Sequence, residues 1–164
     1  MKEVEVNKQA KLSEHFTLGE MTKTSYHPLD GNIPSRVHIE NLINLCENWL
    51  EELRFSYNTL YCLEPGEDYE TSKDVEPIII NSGFRSPDTN QLCGGATHSN
   101  HLTGCAVDIH CVGKAQAIRY ACILLDIADG KKQDFDELIL EKRGTTIWVH
   151  FAVRPRGNRR YVHF

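Results

Sequence analysis

Phe135-Asp136-Glu137-Leu138-Ile139-Leu140-Glu141-Lys142-Arg143-Gly144-Thr145-Thr146-Ile147-Trp148-Val149-His150-Phe151-Ala152-Val153 contains two strand-like runs, 135–141 and 146–153, separated by a short segment with the residues of a turn. It is predicted to form an antiparallel hairpin. Successive side chains of a strand point to opposite faces, so Trp148, His150 and Ala152 share one side of the second run while Val149 and Phe151 share the other. Glu137, Ile139 and Glu141 are grouped the same way on the first run. With the turn centred on Arg143 and Gly144, Glu137 falls opposite His150 and Glu141 opposite Thr146; a bulge at Gly144 would change that register.

Working outward, Ala106-Val107-Asp108-Ile109-His110 is predicted to be a further strand with alternating faces. Pro77-Ile78-Ile79-Ile80-Asn81-Ser82 is a β-branched run that ends at Gly83 and hands over to a loop. Apolar residues recur at helical spacing over 114–127, and again from a start near Pro34 or Ser35 through Leu53, the longest helix expected. Near the N-terminus, Ser13 or Thr17 is placed to cap a short helix, with Glu20 completing a capping box on Thr17, so this part is read as a packing arm. Residues 57–76 are polar and acidic, carry Pro65 and Gly66, and are expected to be a surface excursion without chemistry. The layout is one domain over 1–164: an arm over about 1–33, a core over about 34–153 and a basic tail over 154–164.

A chain of 164 residues can bury a core without covalent staples, so its six cysteines are expected to be free thiols, none of them in a Cys-x-x-Cys pair. The N-terminus lacks the apolar region of a secretory signal, and no run approaches the roughly 18 apolar residues of a membrane span. Synthesis in the cytoplasm and no membrane partner are therefore expected, with the chain acting as a monomer. A net charge of −5 argues against nucleic acid, and the four arginines in the last eleven residues are read as a solvated basic edge.

Catalytic zinc sites usually take three protein ligands from His, Asp or Glu and leave one position open. His101 and Asp108 lie seven residues apart, with Gly104 allowing a sharp bend between a loop ligand and a strand ligand. His150 sits on a core strand, where a histidine needs a partner. These three are the candidate metal ligands. Of the eight histidines, His15, His27, His38 and His163 are expected at surface or packing positions, while His98 and His110 stay open because each adjoins a proposed ligand.

Ser82-Gly83-Phe84-Arg85-Ser86-Pro87 with Asn90, Gly94-Gly95, Ser99-Asn100-His101-Leu102-Thr103-Gly104, Ala106, Asp108 and Trp148-Val149-His150 together resemble the zinc D-Ala-D-Ala carboxypeptidases, peptidase family M15. Leu12-Ser13-Glu14-His15-Phe16 and the Asn41-Leu42 helix resemble its single-domain members, many from phages and gut bacteria. The resemblance implies an α+β fold of the Hedgehog and DD-peptidase kind: a small antiparallel sheet, flanking helices and one zinc ion on the open face. It implies that His101, Asp108 and His150 hold the zinc. It assigns Arg85 to the substrate's carboxylate or scissile carbonyl, the alternative being an ion pair with Asp88, and Ser99 to orienting a ligand or substrate group.

The implied activity is hydrolysis of a peptide bond in peptidoglycan stem peptides, as a carboxypeptidase or an L-Ala-D-Glu endopeptidase. A general base is required, and several family members place a glutamate three residues before the last histidine ligand, where this chain has Ile147. The resemblance favours Glu141 as the base and the symmetric hairpin favours Glu137. A chain lacking a competent base would instead be a non-catalytic zinc module binding peptidoglycan or protein. Action on the cell wall without a signal peptide fits a phage or prophage lysin, or a tail-borne enzyme.

Overall fold

A computed structural model describes residues 6–164. The hairpin forms as β3 (Glu137–Arg143) and β4 (Thr146–Ala152), and β2 (Ala106–His110) pairs antiparallel with the other edge of β4. With β1 (Ile80–Ser82) and β5 (Tyr161–His163) the sheet is five-stranded, in the order β1-β2-β4-β3-β5. All pairs are antiparallel except β3 with β5, which is parallel and draws the basic C-terminal residues into the sheet. The fold is α+β, as the sequence implied.

Two helical segments bury one face of this sheet. The chain is helical over 36–61, as α2 (Arg36–Leu45), a π-helical turn (Cys46–Leu50) and α3 (Glu51–Tyr61). Ser35 caps its start, accepting from the His38 backbone N–H. Leu42, Leu45, Trp49, Leu50 and Leu53 are buried, and Trp49 packs against Phe135 and Phe151. A second long helix, α5 (Gly113–Lys131), buries Ala117, Tyr120, Leu124 and Ile127, with Tyr120 edge-on to Tyr57. Val107, Ile109, Val149 and Phe151 face this core, which leaves Asp108 and His150 on the opposite face.

The N-terminal arm packs as expected: Thr17 and Glu20 form the capping box of α1 (Leu18–Thr22), and Leu12, Phe16, Leu18 and Met21 are buried. The surface excursion begins later than the sequence suggested. Tyr57 and Asn58 are buried within α3, and the Asn58 side chain binds both the N–H and the carbonyl of Glu76, closing the loop at its base. All six cysteines are free. No helix among the described residues is long and apolar enough to cross a membrane.

The hairpin register differs from the symmetric expectation by two residues. Arg143 pairs with Thr146, so Gly144 and Thr145 form the turn; Gly144, at φ 61°, takes the first central position, where glycine suits a tight hairpin turn. Glu137 therefore lies opposite Ala152, Ile139 opposite His150 and Glu141 opposite Trp148.

Gly104 ends the short helical turn that carries His101. It is left-handed, at φ 72°, and a Cβ there would lie 2.5 Å from the His38 carbonyl oxygen. Gly104→Ala is expected to cost at least about 1–2 kcal/mol from the backbone alone, read as a lower denaturation midpoint with an unchanged m-value.

Candidate metal centre and active site

β1 delivers the chain into the loop 83–86, and α4 (Pro87–Leu92), capped by Ser86, follows it. The loop is tied to the next site segment through its backbone: Arg85 N–H donates to the His101 carbonyl at 3.0 Å. His101 lies in the 3-10 turn Asn100–Thr103, whose first residue is preceded by Ser99, and the Ser99 hydroxyl accepts from the His101 N–H. Ser99 thus orients a candidate ligand through the main chain. His101 Nδ1 lies 2.6 Å from the Gly83 carbonyl oxygen. A carbonyl only accepts, so Nδ1 carries the proton and Nε2 of the neutral ring keeps its lone pair for a ligand role.

That nitrogen faces Asp108, with His101 Nε2 3.3 Å from Asp108 Oδ1. Asp108 and His150 are direct partners across β2 and β4, and His150 Nδ1 is 3.1 Å from the same Oδ1. Asp108 Oδ2 accepts from Arg85 Nη2 at 3.0 Å, and Arg85 Nε donates to Ser82. Asp88, the other candidate partner of Arg85, instead accepts from the Asp30 N–H. On the far side of the His150 ring, Nε2 lies 3.2 Å from Glu137 Oε1.

The three candidate ligand atoms all lie within 4.8 Å of one another. A tetrahedral zinc ion with bonds of about 2.0–2.1 Å holds neighbouring donors about 3.3 Å apart, and the two Asp108 contacts already have that spacing. Two imidazoles and one carboxylate are also a donor set that zinc takes. The residues therefore fit the metal. His98 is exposed and His110 is half-buried, and neither belongs to the group.

Charge and hydrogen bonds shift the titration of these groups strongly. Burial alone would raise the Asp108 carboxyl, but hydrogen bonds from His101 and His150 hold it well below the usual carboxylate range. Burial would lower His150, yet Asp108 and Glu137, one on each ring nitrogen, raise it to about 9. Glu137 is held below its ordinary value chiefly by the His150 hydrogen bond, with Asn100 adding to it against burial.

Glu137 and Glu141 flank the Ile139–His150 pair, each two residues along β3 on the site face. Their surroundings differ. Glu137 is engaged by His150, by Asn100 Nδ2 at 2.6 Å and by Arg159 Nη2 at 3.4 Å. The Glu141 side chain has no hydrogen-bond partner among the described residues and lines the same cleft, of about 640 Å³, as Arg85, Trp148 and the candidate ligand group.

Sequence reading missed a second polar layer behind the candidate ligands. Asp136 is fully buried and receives Arg159 through Nε and Nη2, Arg154 through Nε and Asn100 through Nδ2. The basic tail is thus a structural partner of the site rather than a solvated edge. Asparagine immediately before a candidate ligand and aspartate immediately before the strand were the only local signals, since their partners lie 18 to 54 residues away.

A family model described as Peptidase M15 matches residues 14–135, and the chain belongs to that family, whose members are metal-dependent peptidases. The match takes in Arg85, His101 and Asp108; Glu137, Glu141 and His150 lie beyond it and join the site by geometry. No curated protein matches the chain.

Against burial, the hydrogen bonds from Arg159 and Asn100 lower the Asp136 carboxyl from an ordinary 3.8 to about 2. A depressed folded value stabilises the native state above the unfolded value, and that contribution is lost as the pH falls through the folded one. Asp136→Asn is expected to cost at least about 2 kcal/mol near neutral pH, with the difference from the native chain shrinking between about pH 4 and pH 2 in urea titrations.

Proposed function

We propose that the chain is a zinc peptidase that hydrolyses a peptide bond in peptidoglycan stem peptides, of the D-Ala-D-Ala carboxypeptidase or L-Ala-D-Glu endopeptidase type. The observation that carries this reading is the His101, Asp108 and His150 donor group, all within 4.8 Å of one another, inside a cleft that also holds a carboxylate without a side-chain partner, Glu141. Zinc held by His101, Asp108 and His150 would supply a Lewis acid able to polarise a carbonyl and acidify water.

The chain's own residues then divide the work. Glu141 Oε accepts the proton of the attacking water and passes it to the leaving amine, a task that suits a carboxylate free of protein partners. Glu137 is already committed to His150 Nε2, so it orients that ring with Nδ1 toward the metal position. Arg85 uses Nε and Nη2 on Ser82 and Asp108 and has no partner at Nη1 among the described residues, leaving donors for a substrate carboxylate or carbonyl. Arg143, Arg154 and Arg159 also line the cleft, and cationic walls suit stem peptides, which carry free carboxylates.

Zinc content and cleavage of purified peptidoglycan fragments, with products identified by mass, test this reading. The native chain should hold one zinc and release a stem-peptide product. Glu141→Gln should keep the metal and lose about 10²- to 10⁴-fold in kcat. Glu137→Gln should mainly weaken zinc affinity, by about tenfold. The opposite pattern would make Glu137 the base, and stoichiometric zinc without any cleavage would point to a non-catalytic binding module of the same fold.

A further inference from the structure

The polar contacts behind the ligands form one connected network that ends in the C-terminal residues. Three carboxylates, Asp108, Asp136 and Glu137, face three guanidinium groups, Arg85, Arg154 and Arg159. Two of those three arginines come from residues 154–164. Their placement is fixed by backbone contacts as well as charge: Arg159 N–H donates to Asp136 Oδ1, Tyr161 N–H donates to the Asp136 carbonyl, and β5 then pairs with β3 from Glu137 onward.

Asn100 joins this layer to the turn that carries His101. It precedes His101 in the chain, and its Nδ2 donates to Asp136 Oδ2 at 2.8 Å and to Glu137 Oε1 at 2.6 Å. Its Oδ1 accepts from Arg154 Nε at 2.9 Å, so the amide is used at both ends. Glu137 Oε1 is also the atom that faces His150 Nε2, while its Oε2 meets Arg159. The orientation of the His150 ring is thereby set by a carboxylate that the tail holds in place.

We propose that the C-terminal segment is a latch for the metal centre: the Arg159 fork on Asp136, with its reach to Glu137, positions His150 for the metal, making Arg159 and Asp136 positioning residues. This rests on the zinc reading of His101, Asp108 and His150. The latch works by geometry rather than by net charge. Removing a nearby cation would by itself favour a bound dication, whereas losing the fork frees Glu137 and loosens a ligand, so the two effects have opposite signs.

Chelator competition on the full chain measures the zinc dissociation constant for the native protein, Arg159→Ala, Arg159→Lys and Arg160→Ala, each checked for its unfolding midpoint without metal. Arg160 sits in the same tail and pairs with Asp129 and Asp134, away from the site. Arg159→Ala should weaken zinc about tenfold and Arg159→Lys, which keeps the charge and loses the fork, about threefold or more, with Arg160→Ala within about twofold of native. Unchanged or tighter zinc binding in Arg159→Ala overturns the latch; if that variant does not fold, unchanged binding in Arg159→Lys overturns it. A native chain that binds zinc and cleaves, beside an unaffected Arg159→Ala, removes the latch alone, whereas a native chain that binds no zinc removes both readings.

Discussion

A carboxylate taken out of water must be compensated by charge and hydrogen bonds, and Asp108, 9% exposed on the central part of the sheet, imposes that requirement on everything around it. One oxygen meets two imidazole nitrogens and the other meets a guanidinium. Each partner arrives by a different route: His150 by direct pairing across β2 and β4, His101 by a capped turn that ends at a left-handed glycine, and Arg85 by a loop bonded to the His101 backbone. Trp49, Phe135 and Phe151 pack beneath the sheet and keep the register that makes these meetings possible.

The same constraint explains why this cluster reads as a metal centre rather than as a satisfied polar core. Asp108 Oδ1 is shared by two histidine nitrogens at the spacing of donors around a common ion, while the outer nitrogens of both rings are occupied, one by the Gly83 carbonyl and one by Glu137. Environment then separates the two strand glutamates. Glu137 is engaged by His150, Asn100 and Arg159, whereas the Glu141 side chain, on the other side of Ile139, has no hydrogen-bond partner among the described residues. Two carboxylates on one strand thus differ in their partners, the difference on which the proposed division of tasks rests.

Much of this was legible in the sequence because it is local. The bounds of β2, the Thr17–Glu20 capping box, the alternation that sets Trp148 and His150 apart from Val149 and Phe151, and the Gly104 bend depend on residues within one or two turns of each other. The hairpin register was not, because sliding the turn from Arg143-Gly144 to Gly144-Thr145 leaves the alternation intact and moves every partner by two. The arginine tail was misread for a related reason. A three-residue parallel strand has no periodic signature, and Arg154 and Arg159 gain their meaning only from a buried aspartate at position 136.

Zinc-edge anomalous diffraction from crystals grown with the metal tests the central claim most directly. The expected result is a single peak in bonding contact with His101 Nε2, an Asp108 oxygen and His150 Nδ1, with Glu137 still on His150 Nε2. A peak bound through His150 Nε2 and Glu137, or no peak among these residues, would contradict it.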